Sequence, residues 1–222
     1  MKPILKLMFV LIFFFACTFV ALKASGLLSL DAIESWLTYA QSLNSYVVTV
    51  IVIALLLLDL FVAVPTLTII ILAGYFLGPT MGALSAIIGM LLAGLGGYWI
   101  SHIYGHVLID KLIKTESEKA LAVSSFNIRG PVVILLSRAS PILPEVSACM
   151  AGMTKMPFKT FLTCWLMSTI PYAIIAAYAG SVSTLENPNP AIYTAIGLSG
   201  FFWASWWVFK KTTSKSTRAT TS

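Results

Sequence analysis

The sequence predicts an all-α, polytopic membrane helix bundle built around two facing re-entrant helical hairpins related by an inverted repeat. Three observations carry that prediction. Hydrophobic residues make up 59% of the 222-residue chain and charged residues only 10%, with a mean hydropathy of +0.93, far above that of a soluble domain. Most apolar stretches are long enough to cross a bilayer, but two are short or broken by proline and charge. Those two share a pattern: Asp59 and Arg138 each precede a proline, Pro65 and Pro144, by six residues, and an Ala-Gly pair follows, Ala73-Gly74 and Ala151-Gly152.

In chain order, residues 1–25 hold Lys2 and Lys6 before the apolar run Leu7 to Leu22. That run is long for a signal-peptide core, and Ala24-Ser25-Gly26 matches a cleavage site poorly, so the segment reads as an N-terminal transmembrane anchor. Residues 26–45 read as an amphipathic interfacial helix: over Ser29 to Ser42, Ile33, Trp36, Leu37 and Ala40 share one face, with Asp31 and Glu34 in the first turn. The core spans 46–180. Its first hairpin, about 46–79, contains Asp59 and Pro65, and its second arm, Thr66 to Leu77, is about 12 residues, against the roughly 20 a crossing helix needs.

Met81 to Gly105 is a full span whose Ser85, Gly89, Ala93, Gly97, Ser101 and Gly105 recur every four residues, a flat stripe for close helix packing. Leu108 to Phe126 reads as a second interfacial helix. The second hairpin, about 131–155, carries Arg138, Pro141, Pro144 and Glu145; Phe158 to Gly180 is a span with its own small stripe at Thr169, Ala173, Ala177 and Ser181. Residues 181–209 form a C-terminal transmembrane helix, and 210–222 a disordered basic tail.

Charge placement favours the hairpins over extra crossings. If both broken segments enter and return on one side, twelve of the fourteen Lys and Arg fall on one face, which the positive-inside rule makes cytoplasmic, together with both termini. The net charge of +6 then reports orientation and anionic headgroups rather than nucleic acid. Non-helical backbone at membrane depth survives only inside protein or beside water, so the hairpins belong inside the bundle.

Cys17, Cys149 and Cys164 lie in apolar surroundings with no CxxC, and read as small buried residues. His102 and His106 share a helix face, yet no HExxH or nearby carboxylate completes a metal site, so neither metal nor cofactor is expected. Gly197-Leu198-Ser199-Gly200 matches the GxSG of rhomboid-type intramembrane proteases. Both histidines precede Ser199, the reverse of that family's order, so the motif reads as tight helix packing and the chain as no enzyme.

Ala73 to Gly82 (AGYFLGPTMG), the Gly-rich helix after it, and Arg138-x-x-Pro141-x-x-Pro144 closed by Ala151-Gly152-Met153 together resemble the DedA superfamily, the VTT-domain or "SNARE-associated" membrane proteins. The likeness covers roughly Asp59 to Gly180. Typical bacterial DedA members carry a second arginine where Pro144 stands, so the chain is more similar to the RxxPxxP branch. The resemblance implies an integral membrane transporter, in the bacterial inner (plasma) membrane, that moves an anionic phospholipid or polyprenyl-phosphate carrier between leaflets, with protons as coupling ion. It carries over Pro65, Ala73 and Gly74 as hairpin-forming positions of the first motif, and Arg138, Pro141, Pro144 and Gly152 of the second.

An arginine at membrane depth costs about 2.5–3.5 kcal/mol on insertion scales, so Arg138 demands a partner. Its planar fork suits a phosphate, and Arg138, Glu145 and Asp59 are the expected substrate-binding residues, with a carboxylate carrying the coupling proton. The competing expectation is a membrane-organising protein in which the three form a structural ion-pair network.

Overall fold

The computed structural model describes residues 8–13, 17, 20, 39, 44–61, 65–112, 115–140, 142–184 and 189–219. The predicted interfacial helix at 26–45 lies outside the described residues except at Tyr39 and its last two positions. So do Pro141 and, apart from residues 8–13, 17 and 20, the N-terminal anchor.

From Ser45 onward the described residues form six helices: α1 (Ser45–Leu58), α2 (Thr66–Leu112), α3 (Glu116–Leu136), α4 (Leu143–Met153), α5 (Phe158–Ser181) and α6 (Asn189–Ala219). A single 3-10 turn, Ser137–Ala139, follows α3. Thr66–Asp110, Glu116–Ala139 and Phe158–Ser181 are long and apolar enough to cross a membrane. Their outward faces carry large exposed apolar side chains such as Ile100, Tyr104, Ile174 and Tyr178, as a lipid solvent requires. This is an integral membrane protein. At 14 residues, α1 is about 21 Å long and falls short of the ~30 Å hydrocarbon core.

α2 is two helices joined at a sharp corner. Gly78 takes φ 77 and ψ 175 inside it, a left-handed conformation that a side chain resists, and Pro79 opens the second arm with a preset φ. The arms fold back on one another: a Cβ at Gly82 would strike the backbone of Ala73 and Gly74. A second positive-φ residue followed by a proline stands between α4 and α5. α4 ends, Lys155 takes φ 52, and Pro157 caps α5. Gly78 and Lys155 are the two positive-φ residues among those described. In both halves a proline stands five residues beyond the glycine of the Ala-Gly pair, Gly74 to Pro79 and Gly152 to Pro157.

Each Ala-Gly pair also seats its short helix on the long helix of the other half. Gly74 lies against the backbone of Ala177 in α5, and Gly180 of α5 returns the contact at Ile71. Gly152 of α4 lies against the backbone of Tyr98 and His102 in α2. A methyl group at any of the three would meet main chain, which cannot step aside. The small stripe of α2 is used along its length: Gly89 faces Leu56 of α1, Gly97 faces Leu60 and Ala148, and Gly105 faces Met153.

This crossed packing creates two apolar cores. One joins α1, both arms of α2 and α5 through Leu56, Ile70, Met90, Tyr172 and Ala176. The other joins α2, α3, α4 and α5 through Tyr98, Ile134, Met150, Phe161 and Trp165, with Leu11 added by residues 8–13.

Three segments differ from expectation. Leu108 to Phe126 is not one interfacial helix: α2 runs to Leu112 and α3 starts at Glu116, because the first-turn acids Glu116 and Glu118 favour a new helix start there. The second segment does not start as a separate element at Pro131: α3 carries that residue inside it, and the chain breaks at Ser137–Ala139, around Arg138. The C-terminal helix continues to Ala219, into a stretch that composition alone assigns to disorder. Propagating a formed helix adds one hydrogen bond per residue, so it need not stop at the last apolar side chain.

Candidate functional site

Asp59, Arg138 and Glu145 meet at the seam between the two cores, and all three are buried, at 3%, 8% and 7% exposure. The chain places Asp59 and Arg138 by equivalent moves. Asp59 is the C-cap of α1, and Arg138 sits in the 3-10 turn that ends α3. Each charge therefore stands where the first helix of its half stops. Helix dipoles treat the three differently: Arg138 follows the carbonyl end of α3 and Glu145 lies in the first turn of α4, both favourable, whereas Asp59 sets a carboxyl group at a carbonyl end. A hydroxyl compensates, since Thr66 Oγ1 donates to Asp59 Oδ2 at 2.7 Å.

Arg138 is seated by α5. Its Nη2 donates to Thr169 Oγ1 at 3.0 Å, and its guanidinium carbon lies 5.2 Å from the Trp165 ring centroid and 5.4 Å from that of Tyr172. Residues 165, 169 and 172 share one face of the helix, at i, i+4 and i+7. Cation–π contact of this kind holds a desolvated cation without neutralising it. Trp165 is itself fixed, its Nε1 donating to Met90 O at 3.1 Å and its ring filling the place where Gly94 lacks a side chain.

Two polar atoms of the cluster are left over: Arg138 Nε and Glu145 Oε2 are buried with no hydrogen-bond partner. Glu145 feels both the Asp59 carboxyl and the Arg138 charge, but the ion pairs within 4 Å among the described residues are those of Lys119 with Asp110 and Glu116. The direct bond of Arg138 goes to a neutral threonine.

Two cavities flank Arg138. A small one of about 10 Å³, lined by Asp59, Glu145, Leu56, Met90, Ala148 and Trp165, has room for about one water molecule. A larger cleft of about 230 Å³ is lined by Pro65, Thr66, Leu67, Arg138, Ala139, Ser140, Pro144, Tyr172 and Ser199. Arg138 lines both, so it forms the wall between an acidic chamber and a hydroxyl-lined cleft. The first residues beyond the two chain breaks, Pro65 with Thr66 and Ser140 with Pro144, meet in the cleft.

The three charges expected from the sequence are thus together, and Pro65 and Pro144 line the cleft. Ala73, Gly74, Ala151 and Gly152 form helix contacts away from it. Thr66, Trp165, Thr169, Tyr172 and Ser199 were not among the site residues expected from the sequence. A signal for three of them exists: a buried arginine needs flat aromatic faces, and Trp165 and Tyr172 flank Thr169 on one helical face.

The VTT domain matches residues 64–182, from the lip of the cleft to the end of α5. The chain belongs to the VTT domain family. Over 126 residues this VTT domain protein is 25% identical to undecaprenyl phosphate transporter A of Bacillus subtilis (strain 168), a match covering 53% of this chain and 64% of that protein. The chain therefore spans less than two thirds of that relative's length. No solved structure matches it. Arg138 and Glu145 lie within the VTT domain match; Asp59 and α6 lie outside it.

Proposed function

We propose that this protein is a membrane transporter that moves a lipid with an anionic phosphate headgroup, a phospholipid or a polyprenyl-phosphate carrier, between leaflets. The carrying observation is Arg138: buried, supported by rings rather than a carboxylate, with a buried Nε that has no hydrogen-bond partner, and lining a cleft of about 230 Å³. A guanidinium held this way keeps its charge for an incoming anion. The relative's name, an undecaprenyl phosphate transporter, supports the same headgroup chemistry. The two broken segments are read as re-entrant hairpins of an inverted repeat, whose tips bring the site to mid-bundle. Their crossed Ala-Gly contacts and paired positive-φ corners support that reading.

Asp59 and Glu145 are read as the proton carriers. One cation faces two carboxyl groups, so the cluster is electroneutral when one of them holds a proton. A phosphate arriving at Arg138 draws on the same positive charge and so favours proton uptake on the acidic side, which couples substrate to protons through Arg138. A structural ion-pair network has less support, because Arg138 and Glu145 form no direct pair.

Native mass spectrometry of the purified protein tests the substrate class. Phosphate-bearing lipids are expected to co-purify with the wild type and to be lost from Arg138→Ala. Equal lipid occupancy in the two proteins would defeat the reading.

A further inference from the structure

We infer that α6 forms the lipid portal of the site: the phosphate headgroup passes Ser199 on its way from the bilayer to Arg138, and Ser199 Oγ bonds to it there. This rests on the reading of Arg138 as the headgroup site.

The glycines of α6 point to the portal. Gly74, Gly152 and Gly180 are each pressed against main chain, whereas a Cβ at Gly197 or Gly200 would meet no atom within 4 Å. The Gly197-Leu198-Ser199-Gly200 motif is therefore not the tight packing its composition predicts. Two glycines weaken a helix interior, and no contact offsets that. What they do is keep the helix surface low on either side of Ser199, which is exposed and lines the cleft.

The rest of α6 sorts by face. Leu198 and Phe202 pack against the core, Phe202 meeting the Tyr172 ring at a centroid distance of 6.1 Å. That is the ring on which Arg138 lies, so α6 touches the seat of the arginine. Ile196, Phe201 and Trp203 are turned outward and exposed, as lipid-facing residues are. Ser199 thus stands at the border between lipid and cleft.

The chemistry needs such a residue. A phosphate monoester presents three acceptor oxygens, and Arg138, more than nine-tenths buried and with its Nε unpartnered, forms only one wall of the cleft. Ser140, Tyr172 and Ser199, each with a hydroxyl group to offer, are among the other residues that line it. The hydrocarbon chain stays in lipid, along the groove that Gly197 and Gly200 leave open.

The test is cysteine protection in the full-length protein, reconstituted in phosphatidylcholine nanodiscs. Cys149 and Cys164 are buried and Cys17 is exposed, so Ser199→Cys and Ile196→Cys are made in a Cys17→Ser background and treated with a membrane-permeant maleimide. Phosphatidic acid at about ten times its Kd is expected to slow labelling at position 199 about tenfold and leave position 196 unchanged. Protection at 199 by inorganic phosphate but not by phosphatidic acid would overturn the portal in favour of an aqueous anion site. Unchanged labelling at 199, while phosphatidic acid binding still depends on Arg138, overturns the portal and leaves the headgroup site standing. Phosphatidic acid binding to Arg138→Ala as to wild type overturns the headgroup site itself.

Discussion

At the scale of single residues, Arg138 takes its properties from α5 and its position from the end of α3. Lysine in its place keeps the charge but loses the flat stack on Trp165 and Tyr172. Arg138→Lys is expected to reduce lipid translocation at least about tenfold and to lower thermal stability by about 1–2 kcal/mol, read by a melting curve in nanodiscs. Thr169→Val removes the hydrogen bond on Nη2 and leaves a buried donor unmet, with a cost of about 1–3 kcal/mol. The three charges were legible in the sequence because an ionisable residue in an apolar run stands out. Their surroundings were not. Trp165 and Tyr172 are ordinary members of a membrane helix until the fold lays a guanidinium across them, and Ser199 becomes a cleft residue only through the docking of Phe202.

Among the elements, the two corners and the crossed Ala-Gly contacts hold the halves together. Gly74→Ala and Gly180→Ala each push a methyl into a backbone carbonyl of the partner helix, and each is expected to destabilise the protein by about 1–3 kcal/mol. Gly200→Ala meets open space and is expected to leave the melting temperature unchanged or raise it slightly. Lys155→Gly relieves a side chain held at φ 52 and is expected to stabilise by about 0.5–1 kcal/mol. The spans themselves were readable from apolar length, and the short arm Thr66 to Leu77 from the lack of it. The proline five residues beyond each Ala-Gly glycine was equally present in the sequence, but its meaning depends on backbone angles that hydropathy does not report. The break between α2 and α3 was obscured because Leu108 to Phe126 keeps an amphipathic pattern straight through it.

At the scale of the whole molecule, Arg138 lines both the acidic chamber and the larger cleft, and under the proposed function that shared cation makes lipid binding and protonation interdependent. The sign is fixed by charge: an anion on Arg138 takes positive potential away from Asp59 and Glu145, so binding takes up protons. Phosphatidic acid affinity is therefore expected to rise as pH falls, by up to tenfold per pH unit where one proton is coupled, after correction for ionisation of the lipid itself. In Glu145→Gln that slope is expected to flatten. Equal slopes in the two proteins would take the proton role away from Glu145. The central claim is that Arg138 holds the headgroup during its passage, and liposome translocation of fluorescent phosphatidic acid tests it most directly. The account predicts that Arg138→Ala, folded and reconstituted as the wild type is, moves the lipid no faster than protein-free liposomes do. Translocation at the wild-type rate would contradict it.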